Sequence, residues 1–525
     1  MVTSNARYLG YFKDDWCLSC LCQVMIAKKR WSLALLVGAV AITRWVFRSH
    51  YLYDLDSVNF ALAMTRFDPA VHQPHPPGYF LYIGAGRLLN AVFHDANLAL
   101  VVLSILASCG AAIVIYEMAL EWFNPMAARF AGVLFLLSPL AWFHGTVALT
   151  YIVEALFSGL LGFLCWRVYC GNQRSVLPAS IILGVSAGVR PSSLLFLAPL
   201  FVFSLRKVDT KGRYIGLAAL FLTVAAWFVP MVFASGGLKV YFGALLSLWR
   251  MVPSKETVFN SSPATSIARA CTIVLIYFLC FGAASLAPLG ALVRPVRVDP
   301  GKKIFTFVWI APALCFFTFG YLKFVNSGYL LLVCVPACLW LGSWVSGWYE
   351  ASAWSGPIKL TVIGTCAVAN VLFFLASPFY CSYRQVRRFE AQLDGVRTAL
   401  AQIASPRDTI IIGFDSHFDG FRHAGYYLPD YLTVEYPEAK LKEGPRIFTM
   451  HGRDTTLVTE LPLASYTRFV VFPLPSGPSY REYLQTVTAQ LPSQSLHRVS
   501  AGGHEFITGP ISDLPLLFPD ATAVP

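Results

Sequence analysis

Charged side chains are scarce in this chain: Asp, Glu, Lys and Arg make up 13% of 525 residues, against 56% hydrophobic and 15% aromatic. Soluble globular domains carry about a quarter charged residues, so an ordinary soluble enzyme is excluded. Cysteine is nearly missing from the last part of the chain, where Cys381 alone follows Phe379, so a disulfide-built ectodomain is excluded as well. The other cysteines lie mostly in apolar runs, where a free thiol acts as a small hydrophobe. Cys17, Cys20 and Cys22 cluster near the start but lack a second pair of metal ligands. There is no cleavable signal pattern, no low-complexity linker, no solenoid period and no inverted repeat. Nor is there a soluble module with a concentrated basic face, which argues against nucleic acid as a partner.

What is present is a series of apolar runs of membrane-crossing length, recurring from Trp31 to Phe379 and then stopping. They predict a polytopic α-helical membrane protein with about eleven transmembrane helices, near 31–47, 98–120, 127–143, 151–170, 176–189, 191–206, 213–234, 265–293, 303–322, 328–349 and 357–379. The apolar stretch 78–93 is short and carries Arg87, and reads as an interfacial helix. Charge arbitrates the topology. Up to Phe379 there are 27 Lys and Arg against 13 Asp and Glu; beyond it, 13 against 15. With eleven crossings and a cytoplasmic N-terminus, the clusters Lys28-Lys29-Arg30, Arg206-Lys207 with Lys211 and Arg213, and Arg294, Arg297, Lys302 and Lys303 all fall inside. A twelfth span at 78–93 would put two of these loops outside. The expected organisation is a cytoplasmic segment 1–30, a membrane domain 31–379 with a first outside loop 48–97, and a small C-terminal α/β extracytoplasmic domain 380–525. That domain reads as an amphipathic helix over Tyr383–Ala404 followed by β-rich runs at Thr409–Gly413 and Arg468–Phe472.

The first outside loop carries the residues most suggestive of chemistry: Tyr51-Leu52-Tyr53-Asp54-Leu55-Asp56-Ser57-Val58-Asn59-Phe60-Ala61, then His72-Gln73-Pro74-His75-Pro76-Pro77-Gly78-Tyr79. Two carboxylates two residues apart beside a bilayer are costly unless a cation or a proton-transfer task uses them. On the residues alone, a solvated acidic loop is the equal alternative. Arg44 and Arg87, in apolar surroundings, read as contacts to lipid headgroups. In the C-terminal part, Asp415-Ser416-His417-Phe418-Asp419 with Arg422-His423 reads as a folded loop, since no nucleophile elbow or second ligand pair accompanies it.

The order of one apolar span, an outside Asp, an aromatic-Ala pair and a basic-Pro-Pro sequence resembles the C-type (GT-C) membrane glycosyltransferase superfamily. The similarity is to protein O-mannosyltransferases and lipid A aminoarabinose transferases, which are glycosyltransferase family 39-like. The resemblance covers the order of most of the chain but identity only in short motifs. It implies transfer of a sugar from a polyprenyl phosphate donor at the outer membrane face. Asp56, with Phe60 and Ala61, matches the first-loop pattern and implies the catalytic aspartate, with Asp54 as a supporting charge or alternative base and Asn59 as a supporting residue. His75 sits where relatives keep Lys or His before two prolines, which implies contact with the donor phosphate. Gly188-Val189-Arg190-Pro191 looks like the family's Arg-Pro break, and Tyr151 and Glu154 stand where relatives keep an acidic residue at a span start. Lys323 with Gly328-Tyr329-Leu330-Leu331 and Pro336 resembles a later basic-Tyr-Leu-Leu-Pro motif, with Gly328 in place of the family's Arg before Tyr.

Ser57 and Pro74 stand where some relatives carry a second acidic residue, which leaves a divalent metal an open question rather than an implied cofactor. The expected activity is hexosyl or pentosyl transfer, with His75, Arg190 and Lys323 as cations for the leaving phosphate and a lipid, glycan or protein as acceptor, in the inner or plasma membrane. The rival class is a multi-pass transporter or lipid flippase, which would place ionisable groups near the midplane with repeat symmetry. A non-catalytic assembly subunit would keep the fold without needing Asp56.

Overall fold

The computed structural model describes residues 15–251, 267–268, 271, 299–317, 324–378, 381–414, 420–437, 439–441, 444–473 and 478–518. Among them, five helices are long and apolar enough to cross a membrane, and the chain is a multi-pass membrane protein. These are α4 (Ala96–Trp122), α7 (Tyr151–Tyr169), α10 (Thr210–Ala234), α13 (Cys334–Ala351, extended backwards by a turn from Ser327) and α14 (Gly356–Ala376). The helix α1 (Asp15–Val46) starts well before the predicted span at Trp31. The remaining helices of this part are α2 (Leu55–Thr65), α3 (Phe80–Phe93), α5 (Pro125–Leu136), α6 (Pro139–His144), α8 (Val176–Val189), α9 (Ser192–Ser204), α11 (Leu238–Met251) and α12 (Pro300–Phe316).

Three predicted spans take a different form. The run 127–143 is not one helix: α5 ends at Leu136, and Ser138 caps α6 by accepting from the Ala141 amide. Pro139 has no amide to continue the ladder, so the helix restarts there. The runs 176–189 and 191–206 are α8 and α9, of 14 and 13 residues. At 1.5 Å per residue each is about 20 Å long, shorter than a bilayer's hydrocarbon core. Apart from 267–268 and 271, the predicted run 265–293 lies outside the described residues, as do 252–264 before it.

Of the two apolar-flanked arginines, the buried Arg44 departs from the lipid-headgroup reading, while Arg87 is exposed. Arg44 is fully buried and donates to the carbonyls of Leu136 (2.9 Å) and Phe135 (3.5 Å), the last of α5. Arg87 donates to the carbonyls of Met64 (2.8 Å) and Ala63 (2.9 Å), at the end of α2. Both cations satisfy helix-terminal acceptors and oppose the negative end of the helix dipole.

After the amphipathic α15 (Tyr383–Ile403) comes a C-terminal domain built on an eight-stranded sheet. Its strands are β1 (Thr409–Phe414), β2 (Leu432–Tyr436), β3 (Ala439–Leu441), β4 (Gly444–His451), β5 (Asp454–Val458), β6 (Arg468–Val471), β7 (His497–Ala501) and β8 (His504–Pro510), ordered β3-β4-β2-β1-β6-β8-β7 with β5 on β4. The central strand β1 pairs in parallel with β2 and β6. Its continuous apolar run Ile410-Ile411-Ile412 is buried, as a strand covered on both faces requires. Two helices complete the domain, α16 (Phe421–Tyr427) and α17 (Pro478–Gln490). Arg422 and His423, read as part of a loop, are buried in α16; Asp415–Asp419 lie outside the described residues.

Candidate active site

The site is assembled where the first loop meets the Arg190 break. Asp54 is the N-cap of α2: its Oδ1 accepts from the Asp56 amide at 2.9 Å, satisfying one of the helix's orphan donors. That role buries Asp54 and leaves Asp56, in the first helical turn, as the more accessible carboxylate, its side chain 32% exposed. Asn59 is buried on the same helix.

His75 lies between Asp56 and Tyr79: Nδ1 is 3.2 Å from Asp56 Oδ1, off the line of a full hydrogen bond, and Nε2 is 2.8 Å from the Tyr79 hydroxyl. Burial, then the positive charge of Arg190, pushes the imidazole down from 6.5 to about 3, so at neutral pH it is uncharged. An ionised carboxylate cannot donate, so the fitting tautomer carries its proton on Nδ1 toward Asp56 while Nε2 accepts from Tyr79. In this arrangement His75 offers Asp56 and Tyr79 a neutral hydrogen-bonding ring. Burial also raises the Tyr79 hydroxyl well above its usual range.

Arg190 ends α8, and Pro191 separates it from α9. Its guanidinium is buried, donating to Thr150 Oγ1 at 2.9 Å and lying 3.3 Å from Glu154 Oε2. Ser193 Oγ donates to the other Glu154 oxygen at 2.8 Å. Three ring faces surround the cation: Tyr329 at 4.1 Å, Tyr151 at 4.5 Å and Tyr79 at 5.8 Å. Arg190 is therefore not an interfacial side chain snorkelling to headgroups, and Glu154 is its counter-ion in addition to standing in the first turn of α7.

Gly328 explains its own departure from the motif. A Cβ there would lie 2.4 Å from the Tyr151 ring and 2.7 Å from that of His144, so the space of a side chain is taken by those rings. His144 itself is fully buried, 4.9 Å from Tyr151, with both ring nitrogens unpartnered among the described residues.

The fold thus brings together Asp54, Asp56, His75, Tyr151, Glu154, Arg190 and Tyr329, whereas Lys323 lies outside the described residues. Sequence reasoning gave no role to Thr150, Ser193 or Tyr79. Two of these had a signal: Tyr79 follows His75 by four residues, and Ser193 follows Arg190 by three across the break. As a metal centre the donor set is poor. Among the described residues no group of three or more His, Cys, Asp or Glu side chains could hold an ion, and Asp54 is turned inward as a cap.

From Pro191, next to Arg190, an open apolar groove of about 790 Å³ runs along α9 past Leu194, Leu195, Ala198 and Val202 to Arg206, with Val308 of α12 beside it. The 13 residues of α9 make it about 20 Å long.

No protein-family model matches the sequence, and no curated protein matches it. Solved structures do. The apo structure of ArnT from Cupriavidus metallidurans aligns with a TM-score of 0.60 and 13% identity, covering 92% of this chain and 98% of that one. The same protein bound to undecaprenyl phosphate aligns at 0.59 and 11% identity, over 91% and 97%. The arabinosyltransferase EmbB from Mycobacterium smegmatis gives 0.43 and 16%, over 60% and 31%. The near-complete overlap with ArnT shows that this chain has the fold of that protein, the GT-C fold expected from the first-loop pattern.

Proposed function

We propose that the protein is a glycosyltransferase that moves a sugar from a polyprenyl phosphate donor to an acceptor hydroxyl at the extracytoplasmic membrane face. The observation that carries this reading is the chain of contacts that joins an accessible carboxylate, Asp56, through His75 and Tyr79 to a buried cation, Arg190, whose neighbour Pro191 lines an apolar groove. The groove suits an isoprenoid tail and the cation its phosphate, and ArnT, of the same fold, has been solved with undecaprenyl phosphate bound.

In this mechanism Asp56 takes the proton of the acceptor hydroxyl as that oxygen attacks the anomeric carbon. The bond from carbon to phosphate oxygen breaks, and the polyprenyl phosphate leaves with the electron pair. Arg190 stabilises the growing charge, more effectively because water is excluded around it. His75, neutral, orients Asp56 through Nδ1 while Tyr79 holds the other ring nitrogen. Glu154, Ser193 and Thr150 fix the guanidinium, and Tyr151 and Tyr329 pack its faces. Asn59 supports α2 from within, and Lys323 is a second phosphate cation. We further assign about eleven crossings, a cytoplasmic segment 1–30, a membrane domain 31–379 and an extracytoplasmic domain 380–525, in the inner or plasma membrane. Hexosyl and pentosyl donors, and lipid, glycan and protein acceptors, all fit this chemistry. The site gathers its ionisable groups around one loop and one helix break, which favours transfer over a transport or flippase pathway.

Purified protein in lipid nanodiscs, offered radiolabelled polyprenyl phosphate hexoses and pentoses with membrane extract as acceptor source, should transfer one sugar to an extractable product. Donor binding without transfer from any member of the panel, alongside substrate movement in sealed vesicles, would favour the transporter instead.

A further inference from the structure

The short helix α16 of the C-terminal domain reaches into both segments that carry the reacting groups. Tyr427 accepts, at its hydroxyl, the amide of Leu52 at 2.7 Å, and His423 Nε2 lies 3.1 Å from the Leu52 carbonyl. One residue of the first loop, two before Asp54, is thus held at both backbone groups. From the same helix Arg422 donates to the carbonyl of Val71 at 3.0 Å and to Thr455 Oγ1 at 2.7 Å. Val71 precedes His72, whose backbone is left-handed at φ 61°, and the His72–Gly78 turn presents His75 to Asp56. All three α16 side chains are buried or nearly so. Around them the docking continues through α15, where Glu390 accepts the His50 amide at 2.6 Å, Arg387 donates to the Arg48 carbonyl at 2.8 Å, and Asp394 accepts from the Tyr51 hydroxyl.

We propose that α16 is a clamp that sets Asp56 against His75, with Arg422, His423 and Tyr427 as positioning residues that act on the reaction through the Leu52 and Val71 backbone without touching substrate. The physical case is that Leu52 and Val71 are 19 residues apart in the chain, Leu52 in irregular backbone and Val71 at the end of a single 3-10 turn closed by the Asp68–Gln73 bridge, and neither segment belongs to a sheet or long helix that would fix it against the other. A rigid helix bonded to both converts two loops into one body. The charge of Arg422 also bears on His72 and His75, helping to keep both rings neutral, although burial is the larger cause for each. The catalytic half of this inference rests on the glycosyltransferase reading; the holding of the two loops does not.

The test uses the full chain in nanodiscs, with hydrogen–deuterium exchange over residues 50–61 and 70–78 read beside sugar transfer. Tyr427→Phe, a mild change, removes the acceptor of the Leu52 amide. Arg422→Met removes the donor to Val71, and Arg422→Lys keeps one. The clamp predicts faster exchange in 50–61 for Tyr427→Phe and in 70–78 for Arg422→Met. It predicts a fall in kcat of about 10-fold or more, since small misplacements of reacting groups are costly. The donor KM should move less than about 3-fold, because ground-state binding is left in place. Arg422→Lys should recover part of both signals. As a control, Asp454→Ala breaks the exposed Arg66–Asp454 pair (2.9 Å) at the same domain boundary and should leave exchange and kcat as in the wild type. Unchanged protection in both variants, equal loosening by Asp454→Ala, or loosened loops with an undiminished kcat would each overturn the clamp. Faster exchange in the variants of a wild type that transfers no sugar would uphold the loop-holding half and overturn the glycosyltransferase reading.

Discussion

Neutralising Glu154 gives a prediction with a definite sign. Arg190 is about 5% exposed and Glu154 1%, so the pair is screened little by water. In Glu154→Gln the amide oxygen still accepts from Ser193, but the amide nitrogen turns donor against donor toward a guanidinium 3.3 Å away. Arginine has no neutral form to retreat to, so the charge stays buried with Thr150 and the tyrosine faces as its remaining company. Removing one partner of a buried pair costs about 3–5 kcal/mol, and the surviving contacts place this case near 3 kcal/mol. Arg190→Met should cost less, because a buried carboxyl can take up a proton. The double variant Glu154→Gln/Arg190→Met, which leaves no buried charge, should then be more stable than Glu154→Gln alone by about 1–2 kcal/mol. Unfolding in mixed micelles titrated with SDS and followed by tryptophan fluorescence measures all four corners of the cycle. A Glu154→Gln protein within about 0.5 kcal/mol of wild type, or a double variant no better than that single, would refute the pairing.

Gly328→Ala places a methyl group 2.4 Å from the Tyr151 ring that packs against Arg190, and should cost about 1–3 kcal/mol in the same unfolding assay while lowering transfer activity. Arg44→Leu removes the side-chain donor to the Leu136 carbonyl at the end of α5, that of Phe135 keeping the Ser138 amide, and should destabilise by about 1–3 kcal/mol, with donor binding to the folded fraction unchanged. His72 and His75 are held at about 3 in the folded chain against 6.5 unfolded, so the unfolded state binds more protons between those values. Stability should therefore fall as pH drops from about 6.5 toward 3, and His72→Gln should flatten that slope in a melting series.

What the sequence made legible are features that depend on local pattern. The Arg190-Pro191 break follows from proline's missing amide, the β1 strand from its run of three isoleucines, and α15 from its amphipathic period. What it hid depends on partners distant in the chain. Glu154 and Arg190 are 36 residues apart, so nothing local marks Glu154, an acidic residue at a span start, as the partner of Arg190. Arg44 looked like a lipid contact because its acceptors are the carbonyls of another helix, which leave no mark in side-chain identity. The same holds for Arg422 and His423, whose partners are backbone groups of Val71 and Leu52 more than 350 residues away. His75 was read from its place before two prolines as a phosphate contact, whereas its burial and its neighbours Asp56 and Tyr79 are set by the fold.

The central claim is that Asp56 takes the acceptor's proton while Arg190 and the groove hold the donor. Wild type and Asp56→Asn, at equal protein level in nanodiscs, should be compared for binding of the polyprenyl phosphate sugar and for its transfer. The account predicts binding within a few-fold of wild type and transfer lowered by about 10²–10⁴-fold, the usual worth of a general base. An Asp56→Asn protein that transfers sugar as fast as wild type would contradict it.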